Sequence, residues 1–315
     1  MIYYYCPDLA IRSSGIRLLY RHIAILNRQG IAASILHHGG NFQMPDVIGV
    51  PVRYLTAADT LSRGDVVVIP EGFPEIMNLL KEQPLRRIAI ALNWSYIYRA
   101  ESGYFDWRSF GIERVLVNSP FIGDFISWCM ELPTHHFTTG IDPKLYFHEA
   151  AGKVRQVSYI ERKKNHCDEL KRVLWSRNPA FVNQVAWKGH DNLTEDAYAA
   201  EIRKSMLFLN LSPAEGLPFS MLEAMRSGAL VVGYDGVGGQ RELIGQGERQ
   251  NCVLSGNCDY VTLAQRMEPL LADILAGGLA PWERVIRNGM DLSNEYTMEK
   301  EEGTVVAMWR EILDR

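Results

Sequence analysis

The chain has 315 residues, 47% hydrophobic and 22% charged, with 26 Gly and 14 Pro. That is about two ordinary globular domains, with enough apolar side chain to offset the entropy of folding, so disorder is excluded. Its 33 basic and 37 acidic residues leave a net charge of -4, which gives no domain-wide basic field and argues against a nucleic-acid partner.

Met1–Leu9 carries neither a basic leader nor a long apolar run and reads as a first strand. Further strands are expected at Ala32–Leu36, Val66–Ile69, Ile88–Leu92 and Val115–Val117, after the opening Ile2–Tyr5. Each is a short β-branched or aromatic run bounded by Gly, Pro, Asn or Asp. Between them Ile16–Asn27 places apolar residues at 16, 18, 19, 23, 25 and 26, with Gly30 as its stop, and helices are also expected at Phe73–Leu80 and Phe121–Met130. The stretch Thr138–Glu149, with Gly140, Asp142 and Pro143, is turn-rich and marks a domain boundary.

Beyond it the plan repeats. Strands are expected at Val154–Ile160, Phe181–Trp187, Met206–Leu211, Leu230–Gly233 and Cys252–Leu254, and helices at Asp168–Trp175, Thr194–Lys204, Met221–Ser227 and Thr262–Ala276. Strand–helix alternation implies right-handed crossovers and parallel sheets covered on both faces. The expected fold class is therefore α/β, with two Rossmann-like, doubly wound domains at residues 1–139 and 140–296. Ligands of such sheets bind outside the carboxyl ends of the strands, which places the expected site in a cleft between the domains. The last helix, Thr297–Leu313 within residues 297–315, follows the second sheet; its own pattern assigns it to neither domain, and packing back on the first is the arrangement expected.

Cys6, Cys129, Cys167, Cys252 and Cys258 form no C-x-x-C pair, and their odd number points to reduced thiols and a cytoplasmic setting. No apolar run approaches the roughly 20 residues of a membrane span, so any membrane contact is expected to be peripheral. Familiar catalytic patterns fail. Gly236 and Gly238 follow a strand, but Arg241 stands where a dinucleotide fingerprint needs its third glycine. Gly152-Lys153 lacks the earlier glycine and the following Ser or Thr of a phosphate-binding loop. His37-His38 and His135-His136 are adjacent pairs that point to opposite faces of a strand and lack partners at zinc spacing. No D-x-D occurs, so no metal and no other cofactor is expected.

The informative stretch is Met206–Ile244. A buried strand ends near Leu211, and a loop with Pro213, Gly216 and Pro218 leads into the helix Met221–Ser227. Ser220 and Glu223 have capping-box spacing, and Gly228 supplies the stop. Backbone N–H groups from Gly216 to Ser220, with the helix dipole, suit an anion or the oxygens of a polar ligand. Glu215 and Glu223 frame the loop.

Glu215 and Glu223 stand in an E-G-x-P-x-x-x-x-E-A-M frame followed by S-G-A-L-V-V. This frame resembles the E-x7-E motif of the retaining GT-B glycosyltransferases, glycosyltransferase family 4 in particular. The resemblance extends to Gly238-Gly239, to Glu242-Leu243-Ile244, to Gly140-Ile141-Asp142 with Phe147, and to Gly15, where the family brings backbone close to the donor phosphates. It implies a first domain on the acceptor side and a second holding the nucleotide-sugar donor. Glu215 would contact the donor sugar as the catalytic residue, Glu223 would hold the ribose hydroxyls, and the main chain of Gly216, Leu217, Pro218 and Phe219 would bind sugar and phosphate. The implied reaction transfers a sugar, with retention and without a metal, to a carbohydrate, glycan or other hydroxyl acceptor; a lipid-linked acceptor would bring the peripheral membrane contact. A sugar-nucleotide epimerase on the same fold and a nucleotide-sugar-binding subunit without turnover stand as alternatives.

A diphosphate needs cations, and Glu161-Arg162-Lys163-Lys164 follows the strand Val154–Ile160. Arg162 is the first candidate, since its guanidinium forks across two oxygens, and Lys163 the second; a solvated basic loop is the alternative. The family spaces these charges apart and follows them with Gly, which this chain does not. The segment Asn93–Trp107 holds Trp94, Tyr96, Tyr98, Tyr104, Phe105 and Trp107, rings that suit a sugar face or, equally, a core or an oligomer contact. Many family members place a His near its start; here Asn93-Trp94 stands instead. Arg12 to Gly15 precedes the first helix and is read either as a phosphate or acceptor contact or as a plain cap.

Overall fold

The computed structural model describes residues 1–11, 13–40, 42, 49–56, 61–98 and 106–314; Arg12, Tyr104 and Phe105 lie outside them. The polypeptide divides into two units, Met1–Gly140 with Met298–Arg315, and Ile141–Thr297.

The first unit runs β1 (Ile2–Tyr5), α1 (Ser14–Arg28), β2 (Ala33–His37), β3 (Val52–Tyr54), β4 (Val66–Pro70), α2 (Pro74–Leu80), β5 (Arg86–Ala91), β6 (Ile112–Val117), α3 (Pro120–Met130) and β7 (Thr134–His136). Its strands form one seven-stranded parallel sheet in the order β3-β2-β1-β4-β5-β6-β7. The central strands hold the apolar runs of the sequence, buried because helices cover both faces, and β5 starts ahead of its run with the half-buried Arg86 and Arg87. The two edges, β3 and β7, were not expected. Each is three residues long and only partly buried, so neither carries an apolar run. Within β7 His135 is buried and His136 exposed, the alternation a strand imposes. α1 begins at Ser14, two residues before the expected start, because the Ser13 hydroxyl accepts the Ile16 N–H at 3.2 Å. Gly15 thus lies in the first turn of a helix and not in a loop.

The second unit runs β8 (Val154–Ile160), α4 (Cys167–Arg177), α5 (Ala180–Asn183), β9 (Ala186–His190), α6 (Glu195–Lys204), β10 (Ser205–Asn210), β11 (Ala214–Glu215), α7 (Phe219–Arg226), β12 (Leu230–Tyr234), β13 (Val237–Gly238), β14 (Cys252–Ser255), α8 (Tyr260–Ala276) and α9 (Glu283–Ser293). Its five-stranded parallel sheet has the order β14-β12-β10-β8-β9. The order reverses between β8 and β10, the switch point where open α/β sheets take ligands. The strand expected at Phe181–Trp187 is corrected: Phe181 belongs to the turn α5, and pairing begins at Ala186. Pro179 opens that turn, the Phe181 ring enters the core, and the Trp187 indole donates back to the Phe181 carbonyl at 3.1 Å. α9 was also missed. Its Gly289 packs so near α7 that an added Cβ would lie 3.2 Å from Met225 Cγ.

The final helix, α10 (Met298–Leu313), belongs to the first unit. Arg21 of α1 grips the fully buried Glu301 with two hydrogen bonds, 3.0 and 2.7 Å, and the same carboxylate accepts the Gly140 N–H. Farther along, the Trp309 indole donates to the Tyr4 hydroxyl at 2.9 Å.

Candidate functional site

At the switch point of the second sheet, β8 ends in a tight turn, Glu161–Lys163, and its neighbour β10 ends in the loop that leads to Glu215. The two adjacent strand ends bring Lys163 onto Glu215: the ammonium pairs with Oε1 of a carboxylate that is 5% exposed. Ser212 donates to that same oxygen at 2.6 Å. The backbone of Glu215 is held by β11, which pairs with β13 through Ala214↔Val237 and Glu215↔Gly238. Gly238 has φ 112, where a side chain would be strained, so the strand facing Glu215 needs a glycine there.

The contiguous charges 161–164 divide. Lys163 turns to Glu215, Lys164 pairs with Glu161 at 2.6 Å, and Arg162 is exposed. Glu161 lies across Gly189 of β9, where a Cβ would come within 1.9 Å of its Oε2. The cation brought to the framing carboxylate is therefore Lys163 and not Arg162.

α7 starts at Phe219 with Pro218 as its N-cap, and no side chain caps it. The capping box expected from Ser220 and Glu223 is thus corrected. Pro218, at φ -75, opens the helix two residues earlier, so Ser220 sits inside the first turn and Glu223 in the second. The Phe219 and Ser220 amides have no intrahelical acceptor, while Met221 N–H reaches the Pro218 carbonyl at 3.1 Å. Gly216, Leu217 and Pro218 are buried and Phe219 partly so, and Glu223 is 3% exposed. Ser212 was missed in the sequence; its signal was a hydroxyl three residues before Glu215 on the same loop.

Gly15 and the aromatic segment belong to the first unit. An added Cβ on Gly15 would meet Leu92 Cδ1 at 3.5 Å, an ordinary contact. Trp107 is fully buried in the core, and Trp94 packs on Phe121 and Phe125, while Tyr96 and Tyr98 stay exposed. Asn93 accepts the Ser95 N–H at 3.0 Å, and its own N–H, with that of Leu92, binds Glu71. Burial pushes the Glu71 carboxyl up to about 7, against those backbone donors.

Residues 168–276 match the family described as glycosyl transferases group 1. That span takes in Glu215, Gly216–Phe219 and Glu223, and leaves Lys163, Arg162 and Gly15 outside. Over 287 residues the chain is 23% identical to the alpha-1,6-glucosyltransferase of Actinobacillus pleuropneumoniae serotype 7 (strain AP76), covering 86% of this chain and 82% of that protein. Among solved structures it is similar to sucrose-phosphate synthase from Thermosynechococcus elongatus, with a TM-score of 0.72, 13% identity and 99% of each chain covered. It is similar also to Anabaena HepE in complex with UDP-glucose, with a TM-score of 0.67, 12% identity and 99% of each chain covered. The fold is GT-B. The GT-B architecture is present here as its two Rossmann-like domains, each with a parallel sheet. No helix among the described residues is long and apolar enough to cross a membrane.

Proposed function

We propose that the chain is a retaining glycosyltransferase that moves a sugar from a nucleotide-sugar donor to a hydroxyl of a carbohydrate acceptor, without a metal ion or other cofactor. The observation that carries this reading is the meeting of Lys163 and Glu215 at the switch point, on the loop that opens α7. Lys163 would hold the diphosphate, joined by the exposed guanidinium of Arg162, and the free N–H groups at the start of α7 would take further oxygens. Glu215 would receive hydroxyls of the donor sugar, and Glu223 the ribose. Such preorganised donors stabilise charge that develops on a leaving diphosphate. With cations in place and no D-x-D in the sequence, counter-charge for that group comes from side chains.

The alpha-1,6-glucosyltransferase relative and the UDP-glucose complex of HepE make UDP-glucose the first donor to try. A cytoplasmic enzyme acting on a free or lipid-linked acceptor fits the reading; in the second case contact with the membrane would be peripheral. A thermal-shift panel of nucleotides and nucleotide sugars tests binding, since a ligand of the native state raises the unfolding temperature. Transfer is then followed with EDTA present. A protein that no nucleotide stabilises refutes the donor site, and turnover lost in EDTA but restored by Mg²⁺ or Mn²⁺ refutes the metal-free mechanism. A shift with no product from any acceptor would instead identify a binding subunit.

A further inference from the structure

We infer that Glu215 is an intramolecular competitor for the cation a donor diphosphate needs, so that the site favours a nucleotide carrying its sugar and expels the nucleoside diphosphate left behind. This inference rests on the reading of the loop as a nucleotide-sugar site.

The argument begins with the ion pair. Lys163 Nζ contacts Glu215 Oε1, with the two side chains only 26% and 7% exposed. Water screens such a pair weakly, so an anion that approaches Lys163 has to displace the carboxylate or share the ammonium with it. Of the neighbouring charges, Lys164 is on Glu161, and Arg162 is exposed and can add to the hold on a diphosphate without releasing Lys163 from Glu215. A lysine is a point charge on a flexible stem, and it can leave one anion for another at little geometric cost.

Glu215 is not abandoned when Lys163 leaves. Ser212 donates to the same Oε1 at 2.6 Å and is itself buried, and β11 pins the backbone. What Glu215 then lacks is the donor that Lys163 supplied. Hydroxyls of a sugar on the diphosphate replace it. A bare nucleoside diphosphate brings negative charge and no such hydroxyl, so Glu215 opposes it. After transfer the carboxylate returns to Lys163 and the diphosphate loses its counter-ion. Ser212 acts here as a positioning residue.

The experiment is calorimetric titration of UDP, GDP, ADP and UDP-glucose into the wild-type chain, Lys163→Ala, Glu215→Gln and the double variant. The Gln amide keeps an oxygen for Ser212 and loses the charge. The preferred nucleoside diphosphate should bind Glu215→Gln about threefold to tenfold tighter than wild type and Lys163→Ala about tenfold weaker, while the double variant should bind no tighter than Lys163→Ala alone. Equal or weaker binding by Glu215→Gln overturns the inference, as does an undiminished gain in the Lys163→Ala background, which would be long-range charge repulsion only. Glu215→Ala repeats the measurement should the Gln variant unfold. Failure of every nucleotide to bind the wild-type chain is a different result: it refutes the donor site itself.

Discussion

Glu223 is a carboxylate among apolar neighbours: Met221, Leu222, Ala224 and Met225 of the same helix are all buried. It lies beyond the reach of the N-cap, so replacing it removes no cap, and the proposed function gives it a ligand contact from the second turn of a helix opening at the switch point. Glu223→Gln should therefore weaken nucleotide binding at least tenfold, with the thermal midpoint within a few degrees of wild type; unchanged affinity by calorimetry would remove it from the site. Lys153 is a different kind of charge, half-buried. Its ammonium donates to the Ser205 and Ser227 carbonyls, both at 2.7 Å, and burial pulls its pKa from 10.5 down to about 7. The unfolded chain then binds more protons than the native one between about pH 7 and 10.5, so this group makes stability rise with pH across that window and has no further effect below it. Urea unfolding from pH 6 to 10 should show that slope in wild type relative to Lys153→Met. Parallel pH profiles for the two would refute it.

Among the elements, β10 and β12 show how tightly the carboxyl edge of the second sheet is built. Gly233 pairs with Asn210, has φ 150, and an added Cβ would lie 1.8 Å from the Asn210 carbonyl oxygen. No rotamer relieves a clash with backbone, so Gly233→Ala should cost about 2–4 kcal/mol and move the strand end that feeds the Ser212–Glu215 loop. Chemical denaturation gives the first, and loss of nucleotide binding at temperatures where the variant is folded gives the second. An alanine tolerated within about 0.5 kcal/mol would mean that the strands part there easily. α7 carries the complementary lesson. Its start is decided by Pro218, whose ring sets φ, and no side-chain cap contributes.

At the scale of the molecule, α10 ends the chain on the unit where the chain began. Glu301 is held in the interior by Arg21, and burial still raises its pKa above the ordinary carboxylate range, the Arg21 charge opposing. Removing the arginine strands a buried acid. Arg21→Ala should cost about 3 kcal/mol, and adding Glu301→Gln should recover part of it, since the stranded charge is then gone. Additive losses in a double-mutant cycle would show that the two side chains act separately. The same carboxylate takes the Gly140 N–H, so the network also fastens the last residue of the first unit's opening segment.

Much of this protein was legible in the linear chain. Buried parallel strands announce themselves as short apolar runs between breakers, and β1 falls where its residues predict, because burial on both faces leaves no polar position to obscure it; β8 also falls where expected, although its first two residues are exposed and it carries Arg155, Gln156 and Ser158. The E-G-x-P loop and the second glutamate were visible for a related reason: a glycine, a proline and two acids at fixed spacing constrain backbone and charge locally. The edges β3 and β7, the turn at Phe181 and the amphipathic α9 were not, since partial burial dilutes pattern and a single aromatic fits a helix or a strand equally well. Which basic residue meets Glu215 was beyond sequence altogether. Arg162, Lys163 and Lys164 are neighbours in the chain, yet the register of β8 against β10, fifty residues apart, sends one to Glu215, one to Glu161 and one to water. The choice belongs to tertiary structure because a charge run has no preferred face until a second strand supplies the partner.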